Sequence, residues 1–364
     1  MPAVVQQLNQ LRAQAAHAEV SEGRHIHPRN SVLDLVVVAS SNEDAERAAA
    51  VAAELAAHHP CRAIILQDEP AGPRNRIDAT VTSRSHELLS GNICQYEEVF
   101  LRVRGPVANH IPSLVEPMLA PDVDTYLWWT GSPPLSADRF RQSLTIGNVV
   151  IVDSNAFSRP RSLFLELAAQ ASSRDAPVFA DFNWARVHGW REVLAQFFNP
   201  RDRRSFLTGI RRVEIEYVGE GRGNRSAANL LGAWLAARLG WDVQAASGDR
   251  GTVRFRSSRG GSVDVEQRPV RQPRLEEGEI VSVEIVASTK GADCTLRARR
   301  DPKNPAQLVL AGELWGRPLA PRVIPQESPS EAALLSHLLM DSRGDAVYPR
   351  VLELAAHVLT AGGG

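Results

Sequence analysis

The chain has 364 residues, enough for two domains, and its 43% apolar content supplies the cores they need. Its 41 Lys+Arg against 42 Asp+Glu leave almost no net charge, so nothing global argues for nucleic acid or an anionic membrane. Cys61, Cys94 and Cys294 show no CxxC or paired Cys/His spacing, which excludes a disulfide framework and a structural zinc site.

Residues 1–30 are expected to form a polar helix, around Val4 to Glu19, and a connector. They lack an apolar leader core, no later aliphatic run is long enough to span a bilayer, and the expected compartment is the cytoplasm. The run Val32 to Val38 is of buried-strand type. It ends at Ser40-Ser41-Asn42, which can cap an Ala-rich helix from Glu43 to His58. Cys61 to Leu66 is the next strand, and strand, helix and strand at this spacing predict a βαβ unit. Further strands are expected at Ala79–Arg84, Glu97–Arg104, Asp124–Trp129 and Asn148–Asp153. Helices are expected at Ala108–Leu119, Leu163–Ala171 and Trp184–Phe198.

The pattern changes near Asn199-Pro200. Val213, Ile215 and Tyr217 alternate with Glu214 and Glu216; Val253 and Phe255 with Arg254 and Arg256; Val281, Val283 and Ile285 with Ser282 and Glu284. Period-two alternation buries one face and wets the other, the mark of an antiparallel sheet. Helices at Ser226–Leu239 and Glu331–Leu359, with a break near Gly344, accompany it. The fold class is therefore α/β: a mostly parallel α/β domain over 31–200, followed by an α+β domain with a mainly antiparallel sheet over 201–364.

A search for chemistry finds little. Strand, glycine-rich loop and helix run from Val213 through Gly219-Glu220-Gly221-Arg222-Gly223-Asn224 into Ser226, a geometry that can cradle phosphate. Asn224 stands where a dinucleotide fingerprint needs glycine, and Asn224-Arg225-Ser226 replaces the Gly-Lys-Ser/Thr of a P-loop. Arg222 and Arg225 are the candidate anion ligands of a sugar-phosphate- or nucleotide-binding enzyme or sensor. Glu220 opposes them, and the plainer reading is a capped βα loop. Asp153-Ser154 ends a strand, where α/β sites gather, but such residues more often cap the next turn. No H-E-x-x-H, G-x-S-x-G or metal-ligand spacing is present, so catalytic residues, cofactor and metal are all expected to be none. Residues 250–300 hold eleven Lys+Arg against seven Asp+Glu, either a solvated sheet face or a surface for an acidic partner. The aromatic platform of an RNA-binding sheet is missing.

Two aromatic segments stand out: Tyr126-Leu127-Trp128-Trp129-Thr130-Gly131-Ser132-Pro133-Pro134, and Phe179 to Phe198 with Asp181, Trp184, Arg186 and Trp190. Their residues either pack helix against sheet or anchor a partner, where Trp and Arg are enriched. Together with Ile151-Val152-Asp153-Ser154, Val213 to Tyr217, Ser226 to Ala236 and Gly240-Trp241, they resemble the glucose-6-phosphate dehydrogenase assembly protein (OpcA) family of cyanobacteria and actinobacteria. The likeness runs in the same order from about Ser31 to Leu359. It implies a non-enzymatic factor that assembles and allosterically activates glucose-6-phosphate dehydrogenase. Trp128, Trp129, Asp181, Trp184, Arg186 and Trp190 are then candidate partner contacts. The family picture also includes redox control through thioredoxin, for which Cys61 and Cys94 are the candidates. Gln95 follows Cys94 here and breaks the paired cysteines that cyanobacterial members tend to carry.

Overall fold

A computed structural model describes residues 5–7, 9, 10, 32–87, 93–220, 224–247, 251–289, 291–341 and 345–361. The expected N-terminal helix is described only at residues 5–7, 9 and 10, which are helical. In chain order the first elements are β1 (Leu33–Ala39), α1 (Asn42–Ala56), β2 (Cys61–Glu69), β3 (Arg76–Glu87) and β4 (Ile93–Arg104). Next come α2 (Ile111–Val115), β5 (Asp124–Trp129), α3 (Asp138–Ser143), β6 (Val149–Val152), α4 (Pro160–Ala171) and β7 (Val178–Asp181). Then follow α5 (Phe182–Arg186), α6 (His188–Phe198), α7 (Arg201–Arg204), β8 (Ile210–Val218), α8 (Ser226–Leu239), β9 (Asp242–Ser247), β10 (Thr252–Arg256) and β11 (Ser262–Val270). The last are β12 (Ile280–Thr289), β13 (Ala292–Arg300), β14 (Gln307–Leu314), β15 (Arg317–Pro325), α9 (Glu331–Asp341) and α10 (Tyr348–Ala361).

The first compact unit comprises residues 1–157, 173–181 and 330–343. Its seven-stranded sheet has the order β3-β4-β2-β1-β5-β6-β7, parallel throughout except for β3, which pairs antiparallel with β4 at one edge. All seven residues of β1 are buried, as a central strand covered on both faces requires. Val36 lies beside Ile64 of β2 on one side and Leu127 of β5 on the other. The chain runs from β1 to β2, passes to the edge strand β3, turns back into β4 beside β2, and then crosses to β5, β6 and β7 on the other side of β1. Without the hairpin strand β3, this is the 3-2-1-4-5-6 order of doubly wound dinucleotide-binding folds, with the switch point between β1 and β5. Helix α9 packs against α1, and its Leu339 carbonyl accepts a hydrogen bond from the Tyr126 hydroxyl (3.2 Å).

The second unit comprises residues 158–172, 182–329 and 344–364. Its eight strands have the order β15-β14-β13-β12-β8-β11-β10-β9, antiparallel apart from the β8–β11 pair. Helix α8 packs on β8 and β11, close enough that a Cβ at Gly232 would sit 3.3 Å from Val265 Cγ1. Helix α10 covers α8 and α4. The β14–β15 hairpin turns through Trp315 (φ 54°) and Gly316 (φ 71°). Two left-handed residues match the twist of a two-residue hairpin, which favours Asn-Gly. At Trp315 that conformation costs about 1–2 kcal/mol.

The structure departs from the sequence expectations in three places. The chain does not part at 200/201: α4, α5 and α6 belong to the second unit, and α9 to the first. An apolar helix face states that it will be buried but not which core will bury it. The expected helix Trp184–Phe198 is two helices, interrupted at Val187, so Trp184 and Trp190 sit on different ones. The expected helix Ala108–Leu119 is broken into 3-10 turns flanking α2, because Pro106, Pro112 and Pro117 remove backbone donors. The break near Gly344 lies outside the described residues.

Candidate functional site

In a doubly wound sheet ligands bind outside the carboxyl ends of the strands, at the switch point. Here the turn from β1 into α1 reads Ala39-Ser40-Ser41-Asn42-Glu43-Asp44 and contains no glycine. Ser41 caps α1: its Oγ accepts the Asp44 backbone N–H (3.0 Å) and donates to Asp44 Oδ2 (2.7 Å). Burial pushes the Asp44 carboxyl upward, but hydrogen bonds from Arg47 and Ser41 outweigh it and hold the group below its ordinary value. The helix end that could attract a pyrophosphate therefore carries the ionised Asp44 and Glu43 instead.

At the end of β2 a second acidic residue, Asp68, is buried and paired with Arg139 of α3. Burial raises the Asp68 carboxyl above its ordinary value, and the attraction of Arg139 only partly offsets this. The Arg139 guanidinium lies 5.4 Å from the Trp129 ring centroid, and Phe140 packs against the same indole at 5.3 Å. Asp68 and Arg139 are 71 residues apart, and nothing in the spacing pairs them. Only the return of the chain from β5 into α3 does. At the ends of β6 and β7, the Asp153 carboxylate accepts the Asn155 N–H (2.9 Å), the capping role. The buried Asp181 accepts the Ser154 N–H (3.0 Å). These contacts hold the turns after β6 and β7 together.

The glycine-rich loop is described only at its two ends, so Arg222 lies outside the described residues. Glu220 is engaged by Arg271 at 2.6–2.9 Å. The Asn224 N–H donates to Glu277 Oε1 (3.3 Å), and Asn224 Oδ1 takes the Ser226 N–H (3.0 Å). Two donors that could cradle a phosphate thus serve protein oxygens, and Arg225 is the residue at the N-cap of α8.

Of the candidate partner contacts, Trp128, Trp129, Trp184 and Trp190 are all at most 4% exposed, and Asp181 is fully buried. The Trp184 Nε1–H donates to Asp345 Oδ2 (2.5 Å), and the Arg191 guanidinium stacks 3.4 Å from the ring centroid. The same Asp345 caps α10 by accepting the Val347 and Tyr348 N–H groups. Arg186 is half-buried at the end of α5. These side chains hold the fold together, and an anchor for a partner has to be reachable.

Cys61 is fully buried in β2, and Cys294 is buried in β13, where burial pushes its thiol up to about 11 against the pull of Arg203. Cys94 falls on β4, and its side chain lies outside the described residues. Neither Cys61 nor Cys294 should react with a thiol reagent within minutes in the native protein at pH 8, whereas both should react in denaturant. Mass-spectrometric mapping checks this, and rapid native labelling of either would contradict it.

The outward arginines of the second sheet are largely neutralised. Glu266, Glu214 and Glu284 stand in one row across β11, β8 and β12, an arrangement that is repulsive on its own. Arg212 bridges Glu214 and Glu284, Arg268 bridges Glu214 and Glu266, and Arg297 closes on Glu284. Arg254 pairs with Asp264. Self-pairing thus accounts for Arg254, Arg268 and Arg297 of the basic stretch. Among the described residues no cluster of His, Cys, Asp or Glu could hold a metal ion, and no helix is long and apolar enough to cross a membrane.

Two family models match the chain. One, described as the glucose-6-phosphate dehydrogenase subunit N-terminal domain, covers residues 52–169; the corresponding C-terminal domain covers 177–352. A protein of Synechococcus elongatus, provisionally named OxPP cycle protein OpcA, is 27% identical over 88% of this chain and 72% of its own length. Namesakes in Nostoc punctiforme and Synechocystis are each 29% identical, over 67% and 52% of this chain. Those two matches span only 53% and 39% of the relatives' own lengths. Among solved structures, a 3-ketoreductase mutant from Actinomadura kijaniata, in complex with NADP and TDP-benzene, shares 14% identity at a TM-score of 0.50. The match covers 90% of this chain and 96% of that one. An oxidoreductase from Sinorhizobium meliloti shares 15% identity at the same TM-score, over 92% and 98% of the two chains. At such identity these two likenesses speak for the fold alone.

Proposed function

Since the chain belongs to the glucose-6-phosphate dehydrogenase subunit (OpcA) family, we propose that it is a non-catalytic assembly factor and allosteric activator of glucose-6-phosphate dehydrogenase, serving the oxidative pentose phosphate pathway in the cytoplasm. One observation supports the non-catalytic part most directly. The sheet has the strand order of a dinucleotide fold, yet the α1 N-terminus carries Glu43 and the ionised Asp44 and no glycine approach. A bound pyrophosphate there would face two like charges. The carboxylates beside Asn224 weigh in the same way against a phosphate-binding enzyme or sensor built on the 219–226 loop. Thioredoxin control fits this reading only through Cys94, since Cys61 is buried.

An activator must bind the active form of its partner more tightly than the inactive one, and a tenfold preference corresponds to about 1.4 kcal/mol. Titrating the host's dehydrogenase with this chain should raise kcat or lower KM, and the two should co-elute in size-exclusion chromatography. Unchanged kinetics together with separate elution would remove the proposal.

A further inference from the structure

Of the seven tryptophans, Trp315 alone is exposed, at 52%. Its backbone does not call for an indole. The residue is left-handed, a conformation in which bulky side chains are outliers and Asn is favoured. Its ring packs against the buried Phe206, 6.2 Å between centroids, and about half of the residue meets solvent. Local rules broken without a structural return are the mark of positions kept for function.

The surroundings narrow that function. The Trp315 N–H donates to the Asp293 carbonyl (3.1 Å), so the turn is held rigidly and little order is lost when it docks. Asp293 is neutralised by Arg211 at 2.9 Å. Arg317, at the base of the turn, is exposed and has no ion-pair partner among the described residues. Pro318, Pro321 and Pro325 remove donors from β15, which as an edge strand could otherwise pair with a foreign strand. Contact at this edge must therefore be made by side chains.

We propose that the Trp315 turn is the anchor by which this chain docks its protein partner, seating the indole in an apolar pocket whose rim carries carboxylates that meet Arg317. Tryptophan and arginine are the residues that dominate such contacts. The inference rests on the reading that the partner is glucose-6-phosphate dehydrogenase, and the experiment separates the two. Full-length wild type, Trp315→Asn and Arg317→Glu are titrated against the host's dehydrogenase by calorimetry, with Tm and sedimentation recorded for each. Trp315→Asn should keep or raise Tm, because Asn suits the left-handed turn, while weakening the complex at least tenfold. Arg317→Glu should weaken it several-fold and reduce its salt dependence. Equal affinities for all three chains would overturn the docking assignment and leave the proposed function standing. No complex with wild type would overturn both. A wild-type dimer that Trp315→Asn dissolves, with dehydrogenase binding unchanged, would overturn the assignment in favour of a second copy of this chain.

Discussion

Replacing Arg62 by alanine should destabilise the first unit by about 3–5 kcal/mol, the range for removing one member of a buried charge cluster. Asp34, Arg62 and Glu97 stand side by side on β1, β2 and β4, and all three are nearly inaccessible. Arg62 Nε donates to Glu97 Oε2 (2.8 Å), and its Nη1 donates to the Met118 carbonyl (2.6 Å) and lies 3.6 Å from Asp34. Asp34 Oδ2 in turn accepts the Ala120 N–H (2.6 Å), which ties the segment before β5 to the sheet. Without the guanidinium, two buried carboxylates lose their shared counter-charge, and the desolvation cost of both remains. The midpoint of urea unfolding measures the effect. Replacing all three residues together by apolar ones of similar volume should cost much less, because no charge is then stranded. A loss below about 1 kcal/mol for Arg62→Ala would mean that water reaches the cluster and that the burial argument fails.

Trp190→Ala should cost the second unit a further 3–5 kcal/mol or so, the usual range for a buried indole. Trp190 is 1% exposed on α6, on the face that also buries Val193, Leu194 and Phe197, and the Arg300 guanidinium lies 6.0 Å from its ring. The same substitution decides whether Trp190 contacts a partner. If the indole is core, activation of the dehydrogenase should fall only in proportion to the unfolded fraction, and Trp190→Phe should restore both stability and activation. A Trp190→Ala chain of undiminished stability that no longer binds the dehydrogenase would instead make this residue an anchor.

Some of this was legible from residue order. The buried run Leu33 to Ala39, the Ser41 cap and the strand Cys61 to Leu66 all form as their patterning predicts. So does the alternation of Val213, Ile215 and Tyr217, because local backbone preference and one buried face suffice to specify it. The hairpin of β14 and β15 could have been read from Trp315-Gly316 between two extended runs, but a tryptophan is an unusual residue to find in a left-handed turn. The paired Trp128 and Trp129, and Trp184 with Trp190, look like anchors in the sequence. They are buried because β5 is buried along nearly its whole length and because Trp184 and Trp190 lie on the core-facing sides of α5 and α6.

The sequence by itself therefore determined most of the element types, the two-sheet character and the family likeness. Each depends on neighbours within a few residues or on motif order. The tertiary structure alone decided which core takes α4 and α9, that Asp68 meets Arg139, and that Asp34, Arg62 and Glu97 share one buried cluster. It also decided which of the seven tryptophans remains outside. These are contacts between residues tens to hundreds of positions apart, set by sheet register and chain return, on which local propensity is silent.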